Sequence, residues 1–146
     1  MPDPVLSRTP TEEAVAPAPD PVQAVRAIYA AYARRDVTTL FAAFSPEIEV
    51  HQSELLPWGG RYQRLSGARS FFARLIDHIE SQMEPLQFVP AGEQVVVVGR
   101  TRGSVRANGA VFDVAAVHVW TLHAGKATRF EAYIDTPAML AALRAA

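Results

Sequence analysis

Two periods of apolar and polar residues run along this chain, and the switch between them marks out its elements. From Asp20 onward, apolar residues recur at helical spacing, at Val22, Val25, Ile28, Tyr29 and Tyr32. Asp20 suits a helix N-cap and Pro21 the first helical position. Arg34 and Arg35 close that helix. Asp36 opens a second over VTTLFAAF, which Pro46 ends. EIEVHQS then alternates as a strand, with Ile48, Val50 and Gln52 on one face and Glu47, Glu49 and His51 on the other. LLPWGGRYQRL reads as a loop, with Pro57, Gly59 and Gly60 as its breakers. Ser66 reads as the cap of a third helix. Its apolar face carries Ala68, Phe71, Phe72, Leu75, Ile76 and Ile79.

After Pro85 the period becomes two. LQFV, EQVVVVGRTRGSV, AVFDVAAVHVWTL and KATRFEAYIDT predict four strands. Asn108-Gly109 marks a hairpin, because both residues accept positive φ. Ala124-Gly125-Lys126 marks a second tight turn. Thr136-Pro137 starts a short terminal helix, AMLAAL. The order α-α-β-α-β-β-β-β, with a mainly antiparallel sheet, predicts an α+β domain over residues 21–146.

Composition changes this picture at one end. Six of the 11 prolines fall within the first 21 residues, mixed with Ala, Asp, Glu and Thr, so residues 1–20 read as a flexible proline-rich arm. The whole chain has 146 residues, enough for one domain with a sizeable core. The formal net charge is −1 and no basic stripe occurs, which argues against nucleic acid and anionic membrane as partners. The chain has no cysteine, which excludes thiolate metal sites, disulfides and a cysteine nucleophile. His51, His78, His118 and His123 lack metal-ligand spacing. Nothing in the residues calls for a cofactor. No apolar run approaches the roughly 18 residues of a membrane span, and no signal peptide opens the chain. A cytoplasmic protein is expected.

RRDVTTLFAAFSPEIEVH, LLPWGGRYQRLSGARSFF and HVWTLHAGKATRFEAYID occur in an order and spacing that resemble the SnoaL-like branch of the nuclear transport factor 2-like superfamily. That group also contains ketosteroid isomerases and limonene epoxide hydrolases. The resemblance covers roughly residues 20 to 145. It implies a cone, a curved sheet wrapped around helices with a mostly apolar internal pocket, and often a homodimer. Members of the group often bind steroid-like, polyketide or terpene molecules.

The catalytic residues of those relatives do not carry over. Ungapped matching puts Ile28 where a ketosteroid isomerase has its oxyanion Tyr, Ala116 where it has its oxyanion Asp, and Gln52 where it has its base. Gly99, Thr101 and Ala132 match the Asp-Arg-Asp set of the epoxide hydrolases. Asp113 and Asp135 are the nearby acids. The same register points Phe112, Val114, Ala116, His118 and Trp120 inward, with Phe130, Ala132 and Ile134 beside them. Tyr32, Gln52, Trp58, Phe72 and Thr101 complete the implied lining, an apolar cavity with a few polar tips. Ala116 and Ala132 leave room at its centre.

His118 is the strongest chemical candidate. Burial disfavours its charged form, and a neutral imidazole can act as a base. The alternative is a core histidine bonded to a backbone carbonyl. Gln52 is an uncharged donor to a carbonyl oxygen. Asp135 ends the last strand. It is either an acid, as in some SnoaL-like cyclases, or a cap for the turn at Pro137. His51 and Glu54 are surface groups or mouth groups. Three function classes follow: an isomerase or cyclase acting on a lipophilic carbonyl compound, a non-catalytic site for a lipophilic small molecule, and a dimeric interaction module. The outward set of one strand, Val111, Asp113, Ala115, Val117, Val119 and Thr121, is mostly apolar. Val96 and Val98 extend that patch before Arg100 and Arg102 end it. A homodimer through this outer sheet face is expected.

Overall fold

The computed structural model describes residues 20–145. The arm expected over residues 1–20 lies, apart from Asp20, outside the described residues. Helix α1 spans Pro21–Ala33, and the Asp20 carboxylate accepts the Val22 N–H at 3.0 Å, capping it as its sequence suggests. Helix α2 (Val37–Ala42) is capped by Asp36, and strand β1 (Phe44–Gln52) follows. Next come β2 (Gly60–Gln63), helix α3 (Arg64–His78), β3 (Ile79–Ala91), β4 (Gln94–Val105), β5 (Val111–His123), β6 (Lys126–Ile134) and helix α4 (Thr136–Arg144).

Four boundaries differ from the expectation, the first being α2, which ends at Ala42 so that Pro46 lies inside β1. The supposed loop after Trp58 contains β2, whose Tyr62 and Arg61 pair with Val50 and His51 of β1. β2 runs straight into α3, so that helix begins where pairing ends, and Ser66 lies inside it rather than capping it. Ile79 does not belong to the helix. The chain becomes extended there and pairs with Val105, so β3 starts well before Pro85. Pro85 instead sits at a register shift of the β3–β4 ladder, where a missing N–H is tolerated.

The six strands form one sheet in the order β2-β1-β6-β5-β4-β3. Only the β1–β6 pair is parallel. β1 and β3 are four strands apart, about 19 Å in a flat sheet. Gln52 of β1 and Met83 of β3 nevertheless line one cavity, so the sheet wraps around it. Two glycines of β4 permit this wrapping. A Cβ at Gly99 would collide with the Glu84 carbonyl of β3, and one at Gly103 with that of Glu80. On the concave side α1 packs on β3 and β4, α3 on β1 and β2, and α4 on β5. The core they enclose includes Val25, Ile48, Trp58, Phe71, Val97, Trp120 and Met139. No helix among the described residues is long and apolar enough to cross a membrane.

Candidate functional site

Pairing across three strands builds the centre of the site. Gln52 of β1 pairs with Ala132 of β6, which pairs with His118 of β5. The three share the inner face, and the Ala132 methyl leaves a gap between two polar side chains. The next row is filled instead, because Trp120 and Phe130 stack with centroids 4.2 Å apart.

Each polar end of the gap is fixed by an aromatic donor. The Trp58 indole N–H donates to Gln52 Oε1 at 2.9 Å. An indole can only donate, so this bond identifies the Gln52 oxygen and leaves its NH2 group as a donor to the cavity. Both residues are buried. At the other end the Trp120 indole N–H donates to the Tyr29 hydroxyl oxygen at 2.9 Å, and that oxygen lies 2.6 Å from His118 Nδ1. Burial pushes the His118 imidazole down to about 4. Burial also raises the Tyr29 hydroxyl well above the usual phenol range, against the opposing hydrogen bond from Trp120. Both groups are therefore neutral at pH 7 and share one hydrogen bond. If Tyr29 donates to Nδ1, His118 carries its proton on Nε2. If Nδ1 donates, Nε2 is a free acceptor and the Tyr29 O–H can donate elsewhere. The pair can thus pass a proton without becoming charged.

The cavity has a volume of about 80 Å³. Every expected ligand-binding residue lines it: Tyr32, Trp58, Phe72, Thr101, Trp120 and Phe130. Gln52 and His118 line it as well. Asp135 does not. It is exposed and accepts the Ala138 N–H at 3.2 Å as the N-cap of α4, the second of the two readings its sequence position allowed. Ala116 is also outside the lining. It is buried between Gly99 and Ile134, so the open space lies at Ala132 alone. Asp113 lies on the outer face, bound to Arg100 at 2.5 Å and Arg102 at 3.3 Å. No carboxylate among the described residues lines the cavity.

Sequence reasoning missed three contributions. Tyr29 supplies the hydroxyl that ungapped matching denied to Ile28, and it stands one residue further along α1. Ile79, Ser81 and Met83 line the cavity from β3. Their alternation with Glu80, Gln82 and Glu84 is a period-two signal. Met139 of α4 is fully buried and joins the lining.

The profile of the SnoaL-like domain family matches residues 25–130. No curated protein matches the chain. Among solved structures, a protein of unknown function from Burkholderia pseudomallei, described as NTF2-like, is 30% identical with a TM-score of 0.80. The match covers 86% of this chain and 98% of that one. An NTF2-like protein from Burkholderia thailandensis is 31% identical with a TM-score of 0.80, covering 87% and 99%. TerC co-crystallised with polyporic acid is 27% identical with a TM-score of 0.79, covering 86% and 98%.

Proposed function

The chain belongs to the SnoaL-like domain family, and from that premise we propose that its cone binds a small lipophilic carbonyl compound. One observation carries this reading. The Gln52 amide oxygen is held by Trp58, which leaves its NH2 as a donor in a mostly apolar cavity, across Ala132 from the His118–Tyr29 pair. A buried donor without a partner is costly, and a carbonyl oxygen would satisfy it. The co-crystallisation of TerC with polyporic acid supports a small organic occupant. At about 80 Å³ the cavity is smaller than the roughly 150 Å³ void that admits benzene. Ligand entry therefore requires flexible lining residues such as Leu75 and Met83 to move.

The test compares 2-cyclohexenone with cyclohexene by tryptophan fluorescence. Gln52→Leu should weaken cyclohexenone binding by about tenfold and leave cyclohexene unaffected. Equal affinity of both proteins for the enone would remove Gln52 from the site.

A second reading adds acid–base catalysis, an isomerase or cyclase step. It is favoured by the neutral His118–Tyr29 pair, which can take a proton at one nitrogen and release one at the other. Solvent-deuterium exchange next to the enone carbonyl would report it. His118→Gln should then slow exchange by roughly 10²- to 10⁴-fold, and an unchanged rate would leave a binding site without chemistry.

The assembly proposed with this function is a homodimer through the outer sheet face. Val98 and Tyr133 are exposed there, 38% and 49%, beside half-buried Val96, Val117 and Val119. Arg100 and Arg102 with Asp113 form a charged border.

A further inference from the structure

The junction between α1 and α2 holds an arginine where glycine is the easier residue. The Asp36 N–H donates to the Ala31 carbonyl at 2.9 Å and the Arg35 N–H to the Tyr32 carbonyl at 3.0 Å, the double bond of a Schellman cap. The left-handed position of such a cap is usually glycine, and here Arg35 takes it with φ 57°. Its side chain is held. Nη1 donates to the Tyr32 carbonyl at 2.9 Å and Nη2 to the Ser81 carbonyl at 2.8 Å. The guanidinium carbon lies 4.3 Å from the centre of the Tyr32 ring. Tyr32 and Ser81 both line the cavity, so the cation is held behind two residues of its wall, although Arg35 is not itself in the lining.

These partners position the charge without cancelling it. Two carbonyls use two of the five guanidinium N–H groups, and the other three remain available in a fixed fork suited to a carboxylate. Arg34, Arg100, Arg102 and Arg129 each meet a carboxylate, whereas the other described arginines, Arg35 among them, meet none among the described residues. Inside the cavity the donors are neutral, and Arg35 stands against two of its lining residues, Tyr32 and Ser81.

We infer that Arg35 recognises a carboxylate on the ligand, which makes the occupant a lipophilic organic acid. The ring and carbonyl of such a molecule lie in the cone and its carboxylate lies at the Tyr32 edge. This rests on the proposed reading of the cone as a ligand site.

The experiment is calorimetric binding of 3-phenylpropanoate and its neutral amide, 3-phenylpropanamide, at neutral pH. The proteins are the unmodified chain, Arg35→Gly and Arg35→Gln. Glycine suits the left-handed backbone, so Arg35→Gly should fold. The unmodified chain should prefer the acid by roughly tenfold, and added salt should narrow that preference. Both variants should bind acid and amide alike, with amide affinity unchanged. A preference that survives in Arg35→Gly, or an amide bound as tightly as the acid by the unmodified chain, overturns the role of Arg35 and leaves the cone as a ligand site. If the unmodified chain binds 2-cyclohexenone but neither probe, the role of Arg35 falls and the cone reading stands; if it binds none of the three, both fall.

Discussion

Ala132 is where filling the cavity should cost the fold least. Valine there adds two methyl groups in the row between Gln52 and His118, where the structure has open space. An empty apolar volume of about 80 Å³ is worth roughly 2 kcal/mol at about 24 cal/mol per Å³. Two newly buried methyl groups return up to about 1.6 kcal/mol. Imperfect fit reduces that gain, and β-branching in a strand adds slightly to it. Ala132→Val should therefore stabilise by about 1 kcal/mol, a melting shift of about 3 to 5 °C, while abolishing cyclohexenone binding. Ala116→Val is the control. It adds the same atoms to the same inner face, but between Gly99 and Ile134 at a residue outside the cavity lining. Overpacking there should cost about 1–3 kcal/mol. Urea unfolding of both variants gives the comparison. A loss of more than about 1 kcal/mol in Ala132→Val, or equal tolerance of Ala116→Val, refutes the placement of the void.

Three further outcomes are expected. His118 stays neutral in the fold down to about pH 4 but titrates at its ordinary 6.5 when unfolded. The unfolded chain thus takes up a proton that the folded chain refuses. Stability is full above about pH 6.5 and falls as the pH drops toward 4, by up to about 3 kcal/mol. His118→Gln should flatten that part of the profile in pH-dependent urea unfolding, and an unchanged slope would mean that His118 meets bulk water. Tyr29→Phe leaves the Trp120 N–H and His118 Nδ1 without their partner and should lower stability by about 2–3 kcal/mol. A urea midpoint that barely moves would show water replacing the hydroxyl. Val117→Lys should convert the proposed dimer into monomers or aggregates in sedimentation velocity, and a clean micromolar monomer for the unmodified chain would end the dimer proposal.

Strand parity made much of the site legible. A period of two fixes which residues of β5 and β6 point inward, so His118, Trp120, Phe130 and Ala132 could be placed without coordinates. Gln52 followed from the same rule in β1. The helices were less informative. Ile28, Tyr29 and Tyr32 share one broad face of α1, and periodicity does not say which hydroxyl meets a partner on β5. The α3–β3 boundary was hidden because Ile79 extends the helical pattern and also begins the strand pattern. Ala116 and Ala132 are equivalent by parity. Their difference depends on how the curved sheet and α4 pack, a tertiary outcome in which Met139 is buried. Asp135 was ambiguous for a simpler reason. An acid before Thr136-Pro137 is a good helix cap wherever it stands.

The central claim is that Gln52 and His118 face one ligand across Ala132. Side-chain ¹⁵N NMR during a titration with 2-cyclohexenone tests it most directly. The Gln52 amide nitrogen and His118 Nε2 should shift together with one affinity, and Ala132→Val should abolish both shifts. Saturation with the enone while both nitrogens stay still would contradict the account.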